Sequence, residues 1–246
     1  MEKTGSKLSQ YKFVKDVPQN IVRIPAFLSG DFGRDFLEEY QGRAEADYGN
    51  ASVLNVLREG ETVRGSNPYA VVLANQILRQ EGLRTATPAD VEKILKSGDL
   101  ALRGVYVDTG LVLRSGEEPN EYLAKDLMKQ LGEQKLPVMV PLAGLDLRLD
   151  EDASYGLAFN VRDGAEIVYD EILNAECGRF DSKEINEKTG LPKKLGGDER
   201  GFWTRSSGLS GFYLEGDSGL VLDNRGLDLD GGGRVVVADA EGVAKK

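Results

Sequence analysis

The chain has 246 residues and a mass of 26.8 kDa, and its 40% hydrophobic and 29% charged residues are typical of a soluble globular protein. Its net charge of −10 argues against nucleic-acid binding, because an acidic chain repels phosphate backbones. With no histidine and one cysteine, the sequence excludes a Ser-His-Asp triad, Cys-His catalysis, a disulfide within the chain and a cysteine-rich metal site.

The first part of the chain is polar and predicts little regular structure. It lacks the apolar run of a secretion signal, and no stretch of the chain approaches the length of a transmembrane helix, so we expect a soluble protein. Residues 1–65 are expected to form an extension that packs partly on the main domain. The local expectations there are a short strand at 21–28, a short helix at 34–42 and a loop-rich connection over 44–67.

Helical spacing and capping residues then predict three helices. Pro68–Glu81 repeats apolar residues at helical intervals, and Gly82 suits the position after a helix end. Thr87 is the expected N-cap of a second helix, which Gly98 ends. A third helix is predicted across 120–131, where leucines recur every four residues.

Short extended runs separate and follow these helices. They lie at 105–107, 111–113, 137–142, 157–161 and 166–170, with several more between 201 and 237. The pattern predicts an α+β domain over 66–240, with two adjacent helices, a small irregular antiparallel sheet, long loops and a tail at 241–246. The last strand, near Arg234–Val237, is expected to pair within this domain.

Two separated stretches share their layout with one protein family. In ANQILRQEGLRTATPADVEKIL, a helix is followed by a glycine, an arginine and the cap of a second helix, and GFW at 201–203 and GRVV at 233–236 lie near the chain end. Over roughly residues 66–240 this order resembles the formylglycine-generating-enzyme type of C-type lectin fold. The family's Pro-Thr-Glu-Ala-Glu stretch is altered here and its paired catalytic cysteines are absent. The resemblance therefore implies the fold without the oxidase activity.

The stretch SGLVLDNRGLDLDGGGRVVVADAEG, from Ser218 to Gly242, resembles the diversified segment of one branch of that fold. This branch comprises the variable proteins of diversity-generating retroelements, of the archaeal or archaeal-virus type. Adenine-directed mutagenesis changes their AAY codons, and the changed codons cannot encode Lys, Glu, Gln, Met or Trp. None of these five occurs from Gly216 to Ala240. The resemblance implies a variable segment at about 203–236, anchored in the core by Leu220, Leu222, Leu227 and Leu229.

The function that this resemblance implies is non-enzymatic, hypervariable ligand binding without a cofactor or metal. The expected partner is an unknown protein or cell-surface ligand, and the expected state is a monomer on a virion or displayed at a surface by another component. Arg225 is the one charged donor among the expected contacts and would suit an acidic ligand group. The expected variable contact residues are Asp217, Ser218, Gly219, Val221, Asp223, Asn224, Arg225, Gly226, Asp228, Asp230, Gly231 and Gly232.

Several alternatives stay open beside this hypothesis. One is a carboxylate-based enzyme on the same fold, and another is a structural component of a virion or cell surface. The acidic segment offers hard oxygen donors for calcium, but its spacing fits neither an EF-hand nor a β-roll repeat, which favours solvated side chains. Gly231–Gly233 lacks the lysine and the helix of a phosphate loop.

Four further positions carry specific expectations. Trp203 is expected in the core, and Tyr213 is left open between the core and a stacking role toward ligand. Asp150-Glu151-Asp152 is expected to be a solvated turn with no neighbour that shifts its pKa values. Cys177 is expected to be a buried or incidental thiol rather than a nucleophile.

Overall fold

The computed structural model describes residues 12–13, 21–204, 207–216, 219–221, 227 and 231–240. Within these residues the chain forms four α-helices and fourteen short strands, which confirms the α+β prediction. The helices are α1 (Gly30–Tyr48), α2 (Pro68–Leu78), α3 (Pro88–Ser97) and α4 (Glu121–Leu131). The strands are β1 (Lys12–Phe13), β2 (Ile21–Val22), β3 (Ala26–Phe27), β4 (Leu83–Thr85), β5 (Tyr106–Leu113), β6 (Val138–Pro141), β7 (Leu145–Leu149), β8 (Leu157–Val161), β9 (Val168–Tyr169), β10 (Gly178–Phe180), β11 (Arg200–Trp203), β12 (Leu209–Glu215), β13 (Gly219–Val221) and β14 (Val236–Asp239).

Helix α1 is longer than the helix predicted over 34–42. Phe36, Tyr40 and Ala44 are spaced by four residues and all are buried, so one face of α1 packs into the core. The helix ends at Gly49, which has a left-handed φ of 59°. The loop predicted from residue 44 was therefore wrong at its start, because Glu45, Ala46 and Asp47 are exposed residues of a helix.

Helices α2 and α3 confirm the two helices predicted from spacing and caps. Ten of the eleven residues of α2 are buried, so this helix lies in the core rather than on the surface. A short 3-10 turn extends it to Gly82, which has a φ of 72°. Helix α3 begins with a capping box, in which Thr87 and Asp90 each accept a hydrogen bond from the other's backbone N–H.

The largest sheet has seven strands in the order β10–β11–β13–β12–β5–β6–β9. All neighbours are antiparallel except β11 and β13, which run parallel. Strand β13 therefore lies inside the sheet, between β11 and β12. Helix α3 contacts β12 and β5 of this sheet, and α4 contacts β8 of the antiparallel pair β7–β8.

The last described strand pairs with strands from the first third of the chain. Strand β14 lies between β3 and β4 and is antiparallel to both, so the predicted pairing of the last strand is confirmed. Residues that precede 66 share a core with the later ones: Leu28, Phe36 and Leu54 belong to the same buried hydrophobic cluster as Leu73 and Phe159. This core fixes the scaffold on which the seven-stranded sheet presents its surface.

Candidate functional site

Four of the predicted contact residues are described, and they lie on β13 or shortly before β14. Gly219 and Val221 are the first and last residues of β13, and Gly231 and Gly232 lie exposed just before β14. The other eight predicted contact residues lie outside the described residues: Asp217, Ser218, Asp223, Asn224, Arg225, Gly226, Asp228 and Asp230. The surface around β13 is thus the described part of the candidate site.

The strand register brings fixed residues of three other strands beside β13. The Cα of Val221 pairs with Trp203 on β11 and with Tyr213 on β12, and Tyr213 pairs in turn with Asp108 on β5. Two residues along, Gly219 pairs with Glu215. Because paired residues share a face of a sheet, these residues form one surface. We call it the aromatic face; its described side chains are Tyr106, Trp203, Tyr213 and Glu215, and the buried Asp108 lies in the same row as Tyr213.

The intervening residues of the same strands face the core. Phe202 and Leu214 are buried, and the Cα of Leu220 lies in register between them. Leu227 is 3% exposed and belongs to the main hydrophobic cluster, so this predicted anchor is buried as expected. The predicted anchors Leu222 and Leu229 lie outside the described residues.

The prediction that Trp203 lies in the core was wrong, since 55% of its surface is exposed. Adjacent residues of a strand point to opposite faces, and Phe202 takes the inward position on β11. The core placement of Trp203 was drawn from the family resemblance, and neighbouring residues of a strand differ in the face of the sheet that they occupy.

Tyr213 is half-buried because it packs against a second tyrosine. The rings of Tyr106 and Tyr213 have centroids 5.1 Å apart and are tilted by 53°. The Tyr106 hydroxyl donates a hydrogen bond to the Ser66 carbonyl (3.3 Å), and the Ser66 hydroxyl donates to the Asp108 carboxylate (2.5 Å). Residues from β5 and from the loop before α2 therefore hold the aromatic face in place.

The three glycines beside Tyr106 differ in the space that surrounds them. A Cβ on Gly231 would meet no atom within 4 Å, and one on Gly232 would lie 3.5 Å from the Tyr106 ring, an ordinary contact. A Cβ on Gly233 would lie 2.4 Å from the Ser66 Cβ and 2.7 Å from the Tyr106 ring, which the packing forbids. Side chains are thus tolerated at Gly231 and Gly232 but not at Gly233.

The partly buried Arg200 and the buried Arg114 join strands of this sheet to other elements. Arg200 on β11 donates to Glu92 on α3 (2.7 Å), and burial raises the pKa of Glu92 although Arg200 acts against the rise. Arg114, just after β5, donates to the Leu173 carbonyl (3.1 Å) and to the Thr204 hydroxyl (2.6 Å). Burial lowers the pKa of Arg114 to about 10. These long-range contacts have no local signal in the sequence.

Two other candidate groups lie outside the aromatic face. The Tyr122 hydroxyl donates to both oxygens of the Asp150 carboxylate (2.9 Å each), and Arg148 also bonds it. Burial alone would raise the pKa of Asp150, but these hydrogen bonds outweigh it and lower the pKa, so the expectation that no neighbour shifts it was wrong. Cys177 is exposed rather than buried, with its Sγ 3.4 Å from the Thr204 backbone nitrogen.

Comparison with protein-family models, curated proteins and solved structures gives no match. Across the ranges that the structure describes, no three histidine, cysteine or acidic side chains come together as ligands for a metal ion. None of the helices in the described part of the chain has both the length and the apolar character needed to span a membrane. The case for a function therefore rests on the aromatic face and its surroundings.

Proposed function

We propose that the chain is a non-enzymatic ligand-binding protein with a C-type lectin-like fold, whose segment at about 203–236 is diversified by a retroelement. In this proposal, fixed residues hold the segment and variable ones contact an unknown protein or cell-surface ligand. The protein acts as a soluble monomer that another component carries on a virion or displays at a surface. It binds no nucleic acid, since its net charge of −10 opposes contact with phosphates.

The observation that carries the proposal is that positions in rows with buried residues alternate around β13 with positions in rows of the aromatic face. Along this strand, Gly219 and Val221 share rows with the aromatic face, whereas Leu220 shares its row with buried residues. After it, Leu227 is buried and Gly231 and Gly232 are open. This is the arrangement that a diversified surface needs, because substitutions at the free positions leave the core unchanged.

The chain order supports the lectin-like fold within this proposal. Helix α2, strand β4 and the capped helix α3 follow one another, as the resemblance implies, and β14 returns to pair beside β4. The pairing of β14 with β3 also brings the two ends of the domain together. Fold and function remain separate parts of the proposal, because one fold serves many functions.

A library experiment tests the proposed function. Gly219, Val221, Gly231, Gly232 and the polar residues between the leucines are randomised to the residues that altered AAY codons encode, with the leucines kept. We expect most clones to melt cooperatively near the parent, because ordinary surface substitutions change stability by about 0.5 kcal/mol or less each. We also expect clones with different ligand preferences. A library in which most clones are unfolded contradicts the proposal, as does a genome without an adenine-rich copy of the segment beside a reverse transcriptase gene.

A further inference from the structure

Three arginines from two segments of the chain meet beside the aromatic face. Arg58 and Arg64 lie directly opposite each other and exchange two backbone hydrogen bonds, with N–O distances of 2.7 and 2.8 Å. The Gly65 backbone N–H donates to the Gly233 carbonyl (3.1 Å), which places Arg64 and Arg234 on neighbouring segments. Arg58 and Arg64 are exposed and Arg234 is half-buried, so solvent reaches all three. We call these three residues the arginine cluster.

Arg234 links the arginine cluster to the aromatic face. Its Nη1 donates to the Gly232 and Gly233 carbonyls (3.1 and 2.7 Å), and its backbone N–H donates to the Tyr106 carbonyl (3.0 Å). These bonds leave the guanidinium hydrogens on Nε and Nη2 for other acceptors. Partial burial, and after it the charge of Arg64, lower the pKa of Arg234, so the two guanidinium groups are close enough to repel each other.

The charges of the arginine cluster are not neutralised by the described part of the chain. No described carboxylate forms an ion pair with any of the three guanidinium groups. Glu59 and Glu61 are exposed in the same turn but are not paired with them, and the buried Asp108 carboxylate accepts a hydrogen bond from Ser66. Like charges directly opposite each other destabilise a strand pair. The arrangement therefore has a local cost that a bound anion would lessen.

We propose that the arginine cluster is a fixed anion site, in which Arg64 and Arg234 bind the carboxylate of an aspartate or glutamate side chain on a partner protein. This rests on the proposed function, of which it names the partner's chemistry. A guanidinium group matches a carboxylate with two parallel N–H donors. Gly231 and Gly232, where side chains are tolerated, lie just before Arg234. The cluster thus anchors one acidic group, while variable residues beside it select among ligands.

The charge balance favours one carboxylate over a polyanion. The whole chain has a net charge of −10, which repels a nucleic acid or a highly phosphorylated ligand. A single carboxylate in contact with two guanidinium groups is instead attracted at short range, where screening by salt is least. One such contact near the surface gives weak affinity, so the variable contacts supply the rest of the binding energy.

The anion site is tested by NMR on the full chain labelled with nitrogen-15, in which arginine Nε–H signals report contact with an anion. Two peptides with blocked ends, Gly-Ser-Glu-Ser-Gly and Gly-Ser-Gln-Ser-Gly, differ by one negative charge and are titrated at about 150 mM salt. We expect the glutamate peptide alone to shift the Arg64 and Arg234 signals along a saturation curve. Arg64→Gln should weaken its affinity about threefold or more, as for a partly exposed ion pair.

Lys129→Gln is the matched control. It makes the same change in net charge at an exposed residue of α4 and should leave the affinity unchanged. The inference is overturned if the glutamate peptide gives no saturable shift, if both peptides give equal shifts, or if Arg64→Gln binds as the parent does. Tighter binding of inorganic phosphate or glucuronate than of the glutamate peptide also overturns it, because the site then selects another class of anion. All these results leave the proposed function standing, whereas an unfolded library contradicts the proposed function itself.

Discussion

Gly233 lies so close to Tyr106 that a Cβ at this position would come within 2.7 Å of the tyrosine ring. The two residues also form an isolated bridge, and the Tyr106 carbonyl accepts a hydrogen bond from the Arg234 backbone N–H (3.0 Å). The contact marks where the exposed glycines end and the packed strand begins. It fixes one border of the surface that the proposed function assigns to variation.

Gly233→Ala should therefore destabilise the fold, and Gly231→Ala should not. An added methyl group at residue 233 must displace Tyr106 or Ser66, and overpacking of this kind costs about 1–3 kcal/mol. At residue 231 the same methyl group enters open space. Urea unfolding of both variants measures the difference. Equal midpoints would show that residue 233 tolerates a side chain as well as residue 231 does.

Leu227→Ala should lower the free energy of unfolding by about 2–5 kcal/mol, because it removes buried methyl groups and leaves a cavity. Replacement of Asp223, Asn224, Asp228 and Asp230 together by other polar residues should cost only a few tenths of a kcal/mol per site, as for surface positions. Thermal melts of both variants measure the two losses of stability. Collapse of the polar variant with tolerance of Leu227→Ala would identify the segment as a structural or metal-binding loop.

The ion pair between Glu92 and Arg200 joins α3 to β11, and both side chains are largely removed from water. Arg200→Met leaves the Glu92 carboxylate without its partner, and breaking a buried pair in this way costs about 3–5 kcal/mol. Glu92→Leu combined with Arg200→Met should regain most of that loss, because no buried charge is left. A double-mutant cycle from urea unfolding measures the coupling. Additive losses would mean that the two residues contribute to stability separately.

Asp90 should make the fold sensitive to acid. Burial alone would raise its pKa, but the bonds and charge of Arg84 and the hydrogen bonds from Thr87 outweigh it and lower the pKa below the ordinary 3.8. The unfolded chain thus binds this proton more readily, so ionised Asp90 stabilises the fold above a pH of about 4, and this contribution is lost as the pH falls through the folded-state pKa.

Asp90→Asn should therefore destabilise the protein by about 1–2 kcal/mol at neutral pH. The loss should be smaller near pH 3, below the ordinary carboxyl pKa, where the unfolded parent takes up the proton. Unfolding by urea at both pH values measures the two differences. Asp163→Asn, at an exposed position, is the control and should change little at either pH. A constant difference across this range would mean that the carboxylate charge at position 90 is irrelevant.

Sequence reasoning succeeded where the physical cause is local. The caps of α3 lie within three residues of each other, and Gly82 and Gly98 mark helix ends through their own backbone conformations. It failed where the cause is distant: Asp150 is bonded by Tyr122, twenty-eight residues away, and Glu92 pairs with a residue 108 positions later. No local pattern carries such contacts.

Strand details were lost for a related reason. Two predicted runs at 105–107 and 111–113 are one strand, β5, whose register with β12 shifts between Phe212 and Tyr213. A bulge of this kind breaks the alternation of inward and outward residues from which strands are predicted. The misplacement of Trp203 came from the family resemblance, which does not fix the face of the sheet that a strand residue of this chain occupies.

The position of β14 between β3 and β4 has a consequence for synthesis on the ribosome. Strands β3 and β4 emerge first and wait more than 140 residues for the strand that pairs with both, so this small sheet forms only after the intervening chain has been translated. A frameshift or stop codon in the segment before β14 leaves both earlier strands with exposed edges, and cellular proteases remove such products. We therefore expect translation errors in that segment to yield few folded, truncated copies that compete with the intact protein.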